Sequence, residues 1–202
     1  MNDPLAVLQR IRAGKPRPRP GECCDMCAQP VPDRHDHVVD LDARNLLCTC
    51  RGCWLLFTPG GAGGRRYRAV PDRYEVVEGF SVPGGWERLQ VPVGVAFFFH
   101  NSTIGRVAGF YPSPAGATES LLPLDAWEDV VAANPVLATL APDVEALLVR
   151  STRDATTAYV VPIDACYELV GHLRRLWRGF DGGAEARAAV DDFFATVHGR
   201  AT

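Results

Sequence analysis

The chain has 202 residues, of which 47% are apolar and 22% charged, and a net charge of −3. This is the composition of a globular protein and not of a disordered tail. The acidic balance argues against a chain that wraps nucleic acid. No apolar run approaches the length of a membrane span, the longest being 93–99, so membrane insertion is not expected.

In chain order, Asp3 can cap a short helix with Pro4 at its first position. The alternating prolines of 15–20 then make an extended, basic spacer. A Cys-rich stretch follows, and after it a Gly-rich join, PGGAGG, ahead of Arg65 and Arg66. The join lacks the Gly-Lys-Ser/Thr ending of a phosphate-binding loop. Short strands are expected at 67–70 and 74–78, each cut off by Pro or Gly. The segments 93–100 and 106–111 read as a hairpin, and Phe97, Phe98 and Phe99 in a row predict a strand covered on both faces. The run PSPAGATES (112–120) reads as a polar loop, a plausible recognition loop. Asp125 with Glu128 predicts a capped helix over 126–133, ended by Asn134-Pro135. Strands are expected at 145–151 and 156–161. Asp164 is expected to cap a helix running to about Arg178, with Cys166 on its apolar stripe and His172 facing solvent. A last helix carries Val190, Phe193, Phe194 and Val197 on one side. The fold class is therefore α+β, a mainly antiparallel sheet with helices, plus a small N-terminal zinc-ribbon-like metal module. The expected division is 1–21 (short helix and Pro/Arg-rich linker), 22–58 (metal module), 59–66 (linker) and 67–202 (α+β domain).

Six of the seven cysteines fall within 22–57, as do His35 and His37. Two C-x2-C pairs, Cys24/Cys27 and Cys50/Cys53, are separated by 22 residues. That is the spacing of a four-thiolate metal clasp. Some 36 residues cannot bury enough apolar surface to fold unaided, and a bound metal supplies what is missing. Each C-x2-C is expected to present two sulfurs from one tight turn. The extra ligands leave alternatives open: Cys48 in place of Cys50 or Cys53, Cys23 in place of Cys24, and His37 or His35 swinging in to give a Cys3His set. Zn2+ is the expected metal, with iron or an iron–sulfur cluster as the rival. Neither pair is followed by the glycine common in a rubredoxin-like knuckle, which ranks zinc first. An odd cysteine count with adjacent Cys23 and Cys24 does not fit a disulfide framework. Together with an N-terminus that lacks a long apolar core and a cleavage site, this points to a cytoplasmic protein.

Four thiolates make a closed, structural site, whereas a catalytic zinc keeps one position open. No His-Glu-x-x-His and no Gly-x-Ser-x-Gly is present. The residues thus favour a non-enzymatic role.

Several runs carry a resemblance that spans nearly the whole chain. They are C-x2-C followed by His-x-His and C-x-C-x2-C-x-Leu-Leu-Phe, then FYPSPAGATESLLPLDAW (110–127), PIDACYELV (162–170) and WRGFDGG (177–183). With these the chain resembles a domain-of-unknown-function family of actinobacteria and relatives. Its members tend to be encoded beside the structural and maturation genes of high-affinity [NiFe]-hydrogenases. The resemblance implies hydrogen metabolism as a setting and a hydrogenase subunit or maturation factor as a protein partner. It implies no activity and no catalytic residue. The readings in play are an accessory protein, an iron redox protein using the same thiolates, a zinc-ribbon nucleic-acid-binding regulator, and a nickel or zinc carrier that uses the spare Cys48, Cys23 and histidines. The acidic balance weighs against the regulator.

Overall fold

The computed structural model describes residues 23–61, 63–179 and 182–201. The helix and spacer expected within 1–21 lie outside these residues.

Two sheets form. The smaller has three strands in the order β2-β1-β3, with β1 at Asp36–Asp40, β2 at Asn45–Thr49 and β3 at Tyr67–Ala69. Asp40 closes the β1–β2 turn: its Oδ1 accepts from the backbone N–H groups of Asp42 and Ala43, at 3.1 and 3.2 Å. A short helix, α1, runs over Arg51–Leu55 directly after β2. The strand expected at 67–70 exists, but it extends the small sheet by pairing with β1. The Gly-rich join therefore loops within this layer, with the Gly63 N–H donating to the Leu56 carbonyl at 2.8 Å.

The larger sheet is antiparallel throughout, in the order β4-β9-β8-β5-β6-β7. Its strands are β4 (Glu75–Val76), β5 (Val95–Asn101), β6 (Arg106–Ser113), β7 (Gly116–Glu119), β8 (Glu145–Ser151) and β9 (Thr156–Pro162). Alternation along β5 sends Phe97 and Phe99 into one core and Ala96 and Phe98 into another. The expectation for the Phe triplet holds: both faces of this strand are covered. On the first face lie α3 (Ile163–Leu176) and α4 (Gly183–Ala201); Cys166, Leu169, Leu173 and Phe194 reach into that core. On the second face lie α2 (Leu124–Ala133) and two 3-10 turns, Trp86–Leu89 and Pro135–Thr139. Helices on both faces of an antiparallel sheet make the fold α+β.

Three local expectations differ. The run 112–120 is a hairpin and not a loop, since β6 continues to Ser113 and returns as β7. Pairing of β6 with β5 stops at Phe110, so Pro112 sits where its strand has a neighbour on one side only. There its missing N–H removes no bond to β5. Helix α2 begins after Pro123 with no side-chain cap, and Asp125 lies inside its first turn. Helix α3 likewise begins after Pro162, and Asp164 lies within its first turn. In both helices the N-cap position is taken by proline, which has no side-chain acceptor, and the acid sits in the first turn, where its charge suits the helix N-terminus.

The small sheet is docked on the first core. Val39 and Leu46 pack against it. Val70 N–H donates to the His37 carbonyl at 3.0 Å, and the Trp54 indole N–H donates to the Val70 carbonyl at 2.9 Å. Arg68 binds the Pro142 carbonyl at 3.0 Å and Asp143 at 2.7 Å. Among the described residues, no helix is long and apolar enough to cross a membrane.

Candidate metal centre

Cys24 and Cys27 sit on a tight turn. Cys24 N–H donates to the Gln29 carbonyl at 2.7 Å, and Ala28 N–H donates back to the Cys24 carbonyl at 2.8 Å. Closing this turn puts Ala28 at φ +59°, the left-handed region usually left to glycine. The knuckle geometry thus forms without the glycine. The missing glycine therefore loses its force in ranking zinc over iron.

The second C-x2-C is placed differently from the expected turn. Cys50 is the residue from which α1 starts, and Cys53 lies within that helix. A three-residue step on a helix keeps both side chains on one side. The four sulfurs of Cys24, Cys27, Cys50 and Cys53 lie within 4.8 Å of one another. Cys27 and Cys50 are 3.7 Å apart, close to the edge of about 3.8 Å that a tetrahedron with Zn–S of about 2.3 Å implies. Four convergent thiols fit a thiophilic metal ion, and they tie the knuckle, the hairpin and the helix together.

The electrostatics of the cluster suit a cation. Burial pushes the Cys24 thiol up, but backbone N–H groups of Cys50, Cys27 and Met26 outweigh it and bring it from 9.0 down to about 6. Burial, reinforced by the neighbouring sulfurs, pushes Cys53 up to about 12. Cys27 is also raised: the Gln29 backbone N–H favours its thiolate, but the Cys24 and Cys50 sulfurs and burial together outweigh that. Without a cation the cluster accommodates the negative charge of Cys24 and resists more. A divalent cation reverses that balance.

The alternative ligands do not join this group. Cys48, His35 and His37 form a cluster of their own, with ligand atoms within 4.8 Å of one another. His37 on β1 and Cys48 on β2 are direct cross-strand partners. Cys48 is fixed by Asp25 of the knuckle, whose carboxylate accepts from the Cys48 N–H at 2.7 Å while its own N–H donates to the Cys48 carbonyl at 2.8 Å. Burial, together with Asp25 and Cys24, raises the Cys48 thiol. Cys23 joins neither cluster; it is half-buried and bridges to Pro30. Cys166 is fully buried among apolar neighbours and raised well above 9.0, an inert core thiol.

Two residues that sequence reasoning missed shape these clusters. Asp164 accepts from His37 Nδ1 at 2.8 Å, and Asp25 holds Cys48. Asp25 carried a signal, lying between the first pair of cysteines. Asp164 carried none, since 127 residues separate it from His37.

No curated protein and no solved structure matches the chain. One family model does, and it covers residues 23–201, from Cys23, just ahead of the knuckle, to the end of α4. The chain belongs to the family of unknown function DUF5947.

Proposed function

We propose that this is a non-enzymatic, metal-binding accessory protein, that its four-cysteine centre holds Zn2+ as a structural clasp, and that it assists assembly or operation of a [NiFe]-hydrogenase through contacts with a hydrogenase subunit or maturation factor. The observation that carries the metal part is the convergence of four sulfurs, from a knuckle and a helix start, within 4.8 Å. All four positions of a tetrahedral ion are then taken by thiolate, which leaves none for a reacting water. The hydrogenase setting rests on the resemblance of the Cys/His motif and the 110–127, 162–170 and 177–183 runs. Affinity capture of the full chain from its native host, under anaerobic conditions, tests that setting. Co-purification of a hydrogenase component is the expected result, and its reproducible absence overturns the setting.

A second reading places iron in the same thiolates, for electron transfer. The exposure of Cys27 favours it, because a sulfur at the surface offers a short path for an electron. Visible absorption of protein purified without oxygen separates the two. The zinc reading expects colourless protein, and thiolate-to-iron bands would replace it with the redox reading.

A further inference from the structure

We propose that His35, His37 and Cys48 form a second metal site, separate from the four-cysteine centre and open on one side, for a late first-row divalent cation.

The two imidazoles are set up as ligands in the same way. His35 Nδ1 lies 2.8 Å from the Pro32 carbonyl oxygen, and His37 Nδ1 lies 2.8 Å from Asp164 Oδ2. Both partners only accept, so both rings carry their proton on Nδ1. In the neutral rings each Nε2 is left with a free lone pair. A carboxylate or carbonyl behind the ring is the arrangement that orients metal-bound histidines and raises their basicity. His35 Nε2 is buried and has no hydrogen-bond partner among the described residues. A buried acceptor without a partner calls for an explanation, and a metal ion supplies one. The ring centroids stand 4.7 Å apart, inclined at 50°.

The thiol completes the set. The register pairs Cys48 directly with His37, so both side chains leave the same face of the small sheet. Its backbone is clamped by Asp25, so the sulfur is held on rigid strand and not on a loop. Two imidazoles and one thiolate suit Zn2+, Co2+, Ni2+ or Cu2+ and do not suit the oxygen-seeking Mg2+ or Ca2+.

Three protein ligands leave a coordination position free. That position belongs to a cleft of about 1350 Å3 between the small sheet and helices α3 and α4, whose walls include His35, His37, Cys48, Asp164 and Arg200. An ion there can take a ligand from solution or be handed on, which a closed four-thiolate site cannot do. Because Asp25 belongs to the knuckle, filling of the second site follows organisation of the first.

The test uses the full chain, stripped of metal under reducing conditions and titrated anaerobically with Co2+, followed by thiolate-to-cobalt absorption and equilibrium dialysis. Two equivalents per chain are expected, one for each cluster. In Cys48→Ala and in His35→Ala the second equivalent is lost and the first is retained. His35→Ala guards against misfolding, since the ring's one hydrogen bond is to a carbonyl three residues away. In the unaltered protein the ring resonances of both histidines shift or broaden with the second equivalent and not the first. A single equivalent in the unaltered protein overturns the proposal, as does full retention of two in both variants. Loss of a lone equivalent on removing Cys48 would instead make Cys48 a ligand of the first centre.

Discussion

His37 Nδ1 donates to Asp164 Oδ2 across 2.8 Å, joining the first strand of the metal module to the first turn of α3. The side chains of both residues are 25% exposed, so the bond is partly shielded from water. It ties the module by side chains to a helix that covers the larger sheet. Asp164→Ala removes the acceptor and leaves a half-buried imidazole N–H without its partner. The expected loss is about 1–2 kcal/mol, the scale of a hydrogen bond to a charged group reduced by partial exposure. Urea unfolding of the metal-loaded protein measures it, and an unchanged midpoint would remove Asp164 from the account.

Metal binding at pH 7 is expected to release protons. Cys24, at about 6, is largely ionised there, whereas Cys53, near 12, and the raised Cys27 are not. A four-thiolate complex requires both to deprotonate, so at least those protons are expelled. Calorimetric titration in buffers of different ionisation enthalpy counts them. Affinity should therefore rise with pH through the neutral range. A binding constant independent of pH would contradict the ligand set.

The knuckle stores backbone strain at Ala28, whose φ is +59°. An L-residue with a side chain is disfavoured there by about 1–2 kcal/mol relative to glycine. Part of the relief is offset by the larger entropy that glycine loses on folding. Ala28→Gly is thus expected to stabilise the metal-loaded protein by up to about 1 kcal/mol, read from the shift in its unfolding midpoint. A destabilised variant would show that the knuckle is not held in this conformation in solution.

Asp40 gives the acid limb of stability a specific origin. Its carboxylate is buried and takes hydrogen bonds from Arg66 Nε at 3.0 Å and Nη2 at 2.6 Å. The Arg66 hydrogen bonds outweigh the cost of burial and bring its carboxyl from 3.8 down to about 2. A depressed folded value means that the unfolded chain takes up the proton first. The contribution is whole above about pH 4 and fades as pH falls toward 2. The difference in stability between the unaltered protein and Asp40→Asn should shrink over that window, as acid titrations at fixed denaturant would show. A constant difference would contradict the assignment.

The parts of the fold that were legible in the sequence are those where pattern and period agree. Strands β8 and β9 were placed because apolar residues run between turn residues, and the Phe triplet of β5 announced burial on both faces. The four cysteines were legible because C-x2-C is a local rule. Strand β7 was not: GATE has no apolar alternation, and its pairing with Tyr111 and Pro112 is a matter of register. The acids at 125 and 164 have the pattern of caps, but each lies inside the first turn, two residues past the proline at the N-cap. The separation of Cys48, His35 and His37 from the other cysteines depends on the β1–β2 register, which a linear reading cannot supply. One residue of slip between the two strands would have put His37 and Cys48 on opposite faces.

Cys24, Cys27, Cys50 and Cys53 are expected to hold a metal that organises the small sheet. Metal analysis of the anaerobically purified full chain, beside a Cys24→Ser/Cys53→Ser variant, tests it most directly. At least one tightly held equivalent is expected in the unaltered protein. In the variant that equivalent is lost, with a change in tryptophan fluorescence that a Trp54→Phe control assigns to Trp54, because the indole now held to Val70 is released. A metal-free protein whose Trp54 signal matches that of metal-loaded protein, or a variant that keeps its metal, would contradict it.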